Sequence, residues 1–102
     1  MAIVPDQADN AFYLPTADPA RFLATRRTEG PWAPGTQHAG PPSALLARAI
    51  ERLPSSIDGP SQLTRIAVDI LGPVPTGDVT VSAEVTRPGR AVELVEGELA
   101  AN

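Results

Sequence analysis

The segment from Ser43 to Leu53 constrains the fold most, because apolar side chains cover most of its circumference when it is drawn as a helix. It consists of strong helix formers, with Gly40-Pro41-Pro42 before it and Pro54 after it. Its polar side chains form one narrow stripe at spacings of three and four, made of Arg48, Glu51 and Arg52. Such a helix should be largely buried, which predicts a sheet wrapped around it.

Three segments after the helix alternate apolar and polar residues with a period of two, which is typical of β-strands. These segments are residues 62–71, 79–86 and 91–100. Arg87-Pro88-Gly89-Arg90 has the composition of a tight hairpin connection. A β-bulge is expected near Gly97, where the alternation shifts, and Ala20–Thr28 is a further candidate strand.

One helix followed by three antiparallel strands predicts an α+β domain whose sheet bends around one side of the helix only. The helix would then remain partly uncovered in a single chain. The sequence therefore predicts one domain over residues 1–102 that is incomplete at its C-terminal side. Either the chain pairs with another copy, or further strands follow in a longer parent protein.

Composition excludes several classes of function. The 102 residues suffice for one compact domain, and the absence of cysteine excludes disulfides and thiolate metal ligands. With one histidine, a His/Cys metal site is also excluded. A net charge of −4 argues against nucleic acid as a partner. No run of the sequence approaches the roughly 20 apolar residues of a membrane span. Pro5 and Asp6 do not suit a secretory signal, so we expect a cytoplasmic chain.

Three motifs together resemble acyl-CoA thioesterase-like proteins with the hotdog fold, of the double-hotdog, thioesterase II type. Gly30-Pro31-Trp32 followed by QHAGPPSALLARAIE (residues 37–51) resembles their N-terminal segment. RIAVDILGPVP (residues 65–75) resembles their strand leading into a proline-containing turn, and RPGRAV (residues 87–92) resembles their Arg-x-Gly-Arg hairpin. The resemblance implies a hotdog fold, a central helix wrapped by an antiparallel sheet, with an acyl-CoA substrate and no cofactor. It also implies a homo-oligomer or a second hotdog domain.

The resemblance further implies that a helix N-terminus polarises the thioester carbonyl, through free N–H groups and a partial positive charge. Pro41 and Pro42 have no N–H, so the available donors reduce to Gly40, Ser43 and Ala44. Gly40 is the best candidate for the oxyanion site, because glycine allows close approach of a ligand. Ser43 is the second candidate.

The general base is the second requirement of thioester hydrolysis. The related proteins place an aspartate near the start of the helix in their second unit, but residues 37–40 contain no carboxylate. His38 is the candidate base, since imidazole changes its charge near neutral pH. The alternative is that His38 binds a loop carbonyl or lies at a subunit contact. Gln37 is a candidate for orienting water, and alternatively a capping or turn residue.

Four more residues are candidates outside this motif. Asp69 is a candidate catalytic residue, because it lies on a partly apolar strand face, where an unpaired carboxylate is costly. An ion pair with Arg65 is the alternative. Arg87 and Arg90 are candidate ligands of CoA phosphates, or are simply solvated. Trp32 is a candidate for lining an acyl or adenine pocket, or else anchors its proline-rich loop on the core.

Two functions of different classes remain open at this point. The first is hydrolysis of an acyl-CoA thioester. The second is a non-catalytic hotdog half that binds acyl groups or dimerises with a unit carrying the base. A hydratase is disfavoured, because the aspartate that hotdog hydratases place about five residues before a histidine is replaced here by Ala33. No Gly-x-Ser-x-Gly nucleophile motif is present either.

Overall fold

A four-stranded antiparallel sheet and one flanking helix form the described part of the chain, residues 10–102 of a computed structural model. The strands lie in the order β1-β2-β3-β4. Their bounds are β1 Tyr13–Pro15, β2 Arg21–Ala24, β3 Gly77–Arg87 and β4 Leu94–Ala101. A short 3-10 helix, Arg26–Thr28, follows β2, and the helix α1 spans Gly40–Glu51. The predicted α+β class is confirmed, while Pro5 and Asp6 lie outside the described residues.

Helix α1 begins three residues before the predicted start and ends two before the predicted end. It begins early because Pro41 and Pro42 lie in the first turn, where backbone N–H groups have no intrahelical partner and their loss costs little. At the other end, Leu53 donates its N–H to the Ile50 carbonyl at 3.2 Å, which tightens the last turn before Pro54. Within residues 10–102, no helix is long and apolar enough to cross a membrane.

The core lies between α1 and the β2–β3 part of the sheet. Its buried apolar side chains are Phe22, Leu45, Val79 and Val81, and Val79 has no exposed surface at all. Leu46, Ala49 and Leu99 pack against this cluster while remaining partly exposed. Elsewhere α1 is incompletely covered, since Ala44 and Arg48 are exposed and the other apolar residues of its second half are half-buried. The expectation of a partly uncovered helix agrees with this arrangement.

The predicted bulge at Gly97 is wrong. Gly97 pairs regularly with Ala83, and the register shift lies between Val85 and Arg87 of β3. Gly97 is instead the place where α1 approaches β4, because a Cβ there would lie 3.2 Å from the Leu46 Cδ2 atom. The shift in the apolar-polar alternation near Gly97 therefore marks the close packing of α1 on β4 and not a change of strand register.

The connection between β3 and β4 is longer than predicted, since β4 begins at Leu94 rather than Ala91 and residues 88–93 form the loop. Serine side chains from the segment after α1 bind this loop. The Ser56 hydroxyl accepts a hydrogen bond from the Gly89 N–H at 2.9 Å, and it lies 2.6 Å from a Glu93 carboxylate oxygen. These contacts replace the cross-strand hydrogen bonds that a tight hairpin would make.

The strand predicted over residues 62–71 is not formed, and this prediction is wrong for the isolated chain. None of these residues belongs to the sheet, and all but Leu63 are exposed. A strand is stabilised by hydrogen bonds to its neighbours, and no other described residue makes a backbone hydrogen bond to this segment. The candidate strand Ala20–Thr28 is shorter than predicted, because the chain turns into the 3-10 helix after Ala24.

Candidate functional site

The loop before α1 folds back on itself and carries the predicted site motif. Glu29 and Gln37 form an isolated β-bridge, and the Gly30 N–H donates to the Thr36 carbonyl at 3.0 Å. Gly35, with a φ of 75°, closes the tip of the loop. The loop is also joined to the residues before β3, since Thr36 bridges to Pro75. These bonds fix the position of the α1 N-terminus relative to the sheet.

His38 packs between two glycines at the start of α1. A Cβ on Gly30 would lie 2.7 Å from the His38 Cβ, so only glycine fits there. A Cβ on Gly40 would lie 3.4 Å from the His38 Cε1 and 3.6 Å from its Nδ1, which places the imidazole directly against the first residue of the helix. The His38 backbone N–H donates to the Thr28 carbonyl at 2.9 Å. The imidazole makes no hydrogen bond within residues 10–102, so the loop-carbonyl alternative is not observed.

The two predicted oxyanion donors differ in availability. The Gly40 N–H has no acceptor among the described residues, as expected for the first residue of a helix. Ser43, in contrast, donates both its N–H and its hydroxyl to the Ala39 carbonyl, at 3.2 and 2.7 Å. Of these two residues, Gly40 alone therefore presents a free N–H, and this N–H lies at the positive end of the α1 dipole.

The side chain of Gln37 is hydrogen-bonded at both ends and is not a free polar group. Its side chain is buried, accepts a hydrogen bond from the Tyr13 hydroxyl at 2.5 Å, and donates to the Pro75 carbonyl at 2.9 Å. Its backbone N–H donates to the Val74 carbonyl at 2.7 Å. Burial raises the pKa of the Tyr13 phenol, so Tyr13 stays protonated and keeps donating. The predicted role of Gln37 in orienting water has no support from this geometry.

An apolar groove of about 300 Å³ runs beside the first half of α1, and the sequence interpretation did not include it. Pro41, the residue after Gly40, belongs to its wall. Arg48 lies over the Phe22 ring, with its guanidinium carbon 5.4 Å from the ring centroid. The groove is lined by Phe12, Tyr13, Pro15, Phe22, Pro41, Ala44, Leu45 and Arg48. Its only charged group is thus a cation, and the rest of the lining is largely apolar.

Trp32 and Asp69 lie apart from this groove. Trp32 is 83% exposed at the loop tip, so it does not anchor the loop on the core, which was the alternative. Asp69 is exposed and makes no ion pair with Arg65 or with any other described residue. The expectation that an unpaired Asp69 carboxylate is costly therefore does not apply, because its side of the segment is exposed to water.

The structure does not bring Arg87 and Arg90 to the same end of the molecule as His38 and Gly40. The Thr76 N–H donates to the Gly35 carbonyl, so the loop before α1 lies at the Gly77 end of β3. Arg87 ends this strand ten residues later, about 34 Å away at the rise of an extended strand. Within one chain the two arginines therefore lie away from His38 and Gly40.

The Glu93 carboxylate is hydrogen-bonded to two serines at the end of the molecule where Arg90 lies. It accepts hydrogen bonds from the Ser55 hydroxyl at 2.8 Å, from the Ser56 N–H at 3.0 Å and from the Ser56 hydroxyl at 2.6 Å. These bonds, the Ser56 hydroxyl foremost, lower the pKa of the Glu93 carboxyl. Nearby, the Asp58 N–H donates to the Arg90 carbonyl at 2.9 Å.

Acidification is expected to weaken the hydrogen bonds between Glu93 and the two serines. A lowered pKa stabilises the folded state fully above the ordinary glutamate pKa of 4.5, and this contribution is lost as the pH falls through the lowered value. We therefore expect the hydrogen-exchange protection of the Ser56 and Gly89 amides to decrease below pH 4.5. In Glu93→Gln, which has no carboxyl to titrate, protection of these amides should be low and independent of pH. A pH dependence that survives this substitution would contradict the assignment.

A helix packed on one face of an antiparallel sheet, with its free N-terminus beside an apolar groove, defines a hotdog-type α+β domain. A family model described as "Acyl-CoA thioesterase N-terminal domain" matches residues 28–102, and the chain belongs to that family. The predicted resemblance to hotdog thioesterase-like proteins is thereby confirmed. No curated protein and no solved structure gives a significant match.

Proposed function

We propose that the chain takes part in hydrolysis of an acyl-CoA thioester to a free acid and CoA, a reaction of the cytoplasm. One observation carries the proposal: Gly40, whose N–H has no acceptor among the described residues, begins α1 directly beside the His38 imidazole, in a chain of the acyl-CoA thioesterase family. A donor for an oxyanion and a candidate base for water are thus adjacent, as the reaction requires.

The reaction follows from these two groups. His38 accepts a proton from water as the water oxygen attacks the thioester carbonyl carbon, and the carbonyl oxygen becomes an oxyanion. The Gly40 N–H and the α1 dipole stabilise this negative charge. The tetrahedral intermediate then collapses, the C–S bond breaks, and CoA leaves as a thiolate that takes up the proton. A thiolate is a good leaving group, so a second acid is not needed.

The groove beside α1 is proposed to hold the acyl chain. Its lining includes Pro41, the residue after the oxyanion donor, and its walls are aromatic and aliphatic except for the guanidinium of Arg48. Burial of an apolar chain there costs no unsatisfied polar group. Arg48, held over Phe22, would attract the carboxylate of the acid product.

A second function is favoured because few hydrogen-bond donors at the α1 N-terminus are available to an oxyanion. Ser43 is fully engaged with Ala39, and within residues 10–102 neither Gln37 nor a carboxylate contacts the His38 imidazole through a hydrogen bond or ion pair. An acyl-binding hotdog half, whose catalytic base is supplied by another unit, would need the groove but not a complete oxyanion site. This alternative shares the ligand with the first function and differs from it only in turnover.

Thiol release and ligand binding measured on the same preparation separate the two functions. Acyl-CoA esters of increasing chain length are mixed with the folded chain, free CoA is detected with a thiol reagent, and binding is measured by calorimetry. Release above the uncatalysed rate supports hydrolysis. Binding without release at every chain length supports the acyl-binding half and overturns hydrolysis. A folded chain that neither binds nor releases overturns both.

A further inference from the structure

A second groove, of about 260 Å³, lies beside the second half of α1. It is lined by Pro19, Ala20, Phe22, Leu45, Arg48, Ala49, Arg52 and Val81. Three of these residues, Phe22, Leu45 and Arg48, also line the first groove, the one proposed to hold the acyl chain. The two grooves therefore meet at these three residues, which we call the boundary residues.

The helical residues that line the two grooves show that the grooves lie end to end. The first groove takes from α1 the residues Pro41, Ala44, Leu45 and Arg48. The second takes from α1 and its C-terminal cap the residues Leu45, Arg48, Ala49 and Arg52. Spacings of three and four keep side chains on one face of a helix. Both grooves therefore follow the same face of α1, the first near its N-terminus and the second near its C-terminus.

Of the boundary residues, only Arg48 is free to move. Phe22 and Leu45 are buried and belong to the core. Arg48 is exposed, and its guanidinium carbon lies 5.4 Å from the centroid of the Phe22 ring. Within residues 10–102, no hydrogen bond or ion pair fixes the Arg48 side chain. This side chain therefore lies across the junction of the grooves, over the buried ring, and is held there by a weak contact.

The position of Arg48 along α1 gives the length of the first groove. Arg48 follows Gly40 by eight residues, which is about 12 Å along the axis of a helix. An extended chain advances about 1.2 Å per bond, so about ten bonds separate a carbonyl at Gly40 from Arg48. An acyl chain of about ten carbons would fill the first groove, and a longer one would meet the Arg48 side chain.

We propose that Arg48, lying over Phe22, divides one continuous acyl groove and sets the length of acyl chain that the site binds. This inference rests on the proposed function, because it takes the acyl carbonyl to lie at Gly40 and the chain to run along α1. Before a longer chain can enter the second groove, the Arg48 side chain has to leave the ring. An apolar chain end gains nothing from replacing water at a guanidinium group, so Arg48 limits the chain by its charge as well as by its volume.

Calorimetry with saturated, straight-chain acyl-CoA esters of increasing length tests the proposal. For the wild-type chain, Kd should fall about fourfold with each added methylene. This fall should stop at about ten carbons. In Arg48→Ala the fall should continue beyond that length, because the two grooves are then joined. Arg52→Ala is the matched control, since it removes the same charge from the same helix face but from the second groove only, and it should keep the wild-type break.

The position of the break separates this proposal from a general effect of charge. A change in Kd that is equal at every chain length in Arg48→Ala would mean that Arg48 acts on CoA, and it would overturn the proposal. So would a break that stays at the same length in Arg48→Ala, or a wild-type chain without a break. In those three cases thiol release would still support the proposed function. A folded chain that neither binds nor releases at any length would overturn the proposed function and this inference together.

Discussion

Replacing Phe22 by alanine is expected to lower the free energy of unfolding by about 3–5 kcal/mol, a large share of the stability of a typical small domain. Phe22 is 8% exposed and lies where β2 meets α1. The variant loses the packing of the Phe22 ring on Leu45 and Val79. It also loses the edge-to-face contact with Tyr13, whose ring centroid lies 6.5 Å away, and the contact with the Arg48 guanidinium carbon, 5.4 Å from the ring centroid. Chemical denaturation followed by circular dichroism measures the change.

Phe12→Ala is the matched control for Phe22→Ala, since it deletes the same group from a side chain that is 52% exposed in the same groove. Its cost should be about 1 kcal/mol, because much of that ring already contacts water. Equal losses in the two variants would contradict the core described here. They would mean that the β1 side of the groove is as well packed as the interface of β2 with the helix.

Replacing His38 by alanine is expected to lower kcat for acyl-CoA hydrolysis by about 10²–10⁴-fold, the range for loss of a general base. The fold should survive, because the His38 ring makes no hydrogen bond with the described residues, and its backbone bond to Thr28 does not involve the side chain. Steady-state thiol release measures the rate, and the thermal midpoint of unfolding checks the fold.

The pH dependence distinguishes a base from a packing residue. If His38 removes the proton from water, the acidic limb of the kcat profile should disappear in His38→Ala. Asp58→Ala, an exposed change outside the groove, serves as the control and should retain both the rate and the profile. An unchanged kcat in His38→Ala would exclude His38 as the base. A lower rate with the acidic limb retained would assign it a positioning role instead.

The sequence predicted those elements whose pattern is local. The apolar circumference of residues 43–53 predicted α1, and the alternation of residues 79–86 predicted β3, because each pattern spans several turns or pleats. Strand β1 is only three residues long, and its pairing with β2 determines it more than its own composition. The same dependence on neighbours explains residues 62–71, where the alternation is clear but no described strand lies beside it.

The candidate site was predictable only in part, for a related reason. His38 and Gly40 are two residues apart in sequence, so a single motif located both of them. The groove depends on Phe12 and Phe22 approaching Arg48 across the fold, and no spacing in the sequence indicates that contact. Arg87 fits the expected motif, yet β3 carries it to the far end of the molecule.

The three hydrogen bonds of Gln37 have a mechanical consequence for this molecule. Two of them, to the Val74 and Pro75 carbonyls, join Gln37 to the chain that continues from the segment of residues 62–71. A pull on that segment is transmitted over a few covalent bonds to the start of α1, without passing through the core. If a ligand at Gly40 displaces Gln37, the segment before Val74 moves with it, and by linkage the reverse holds as well.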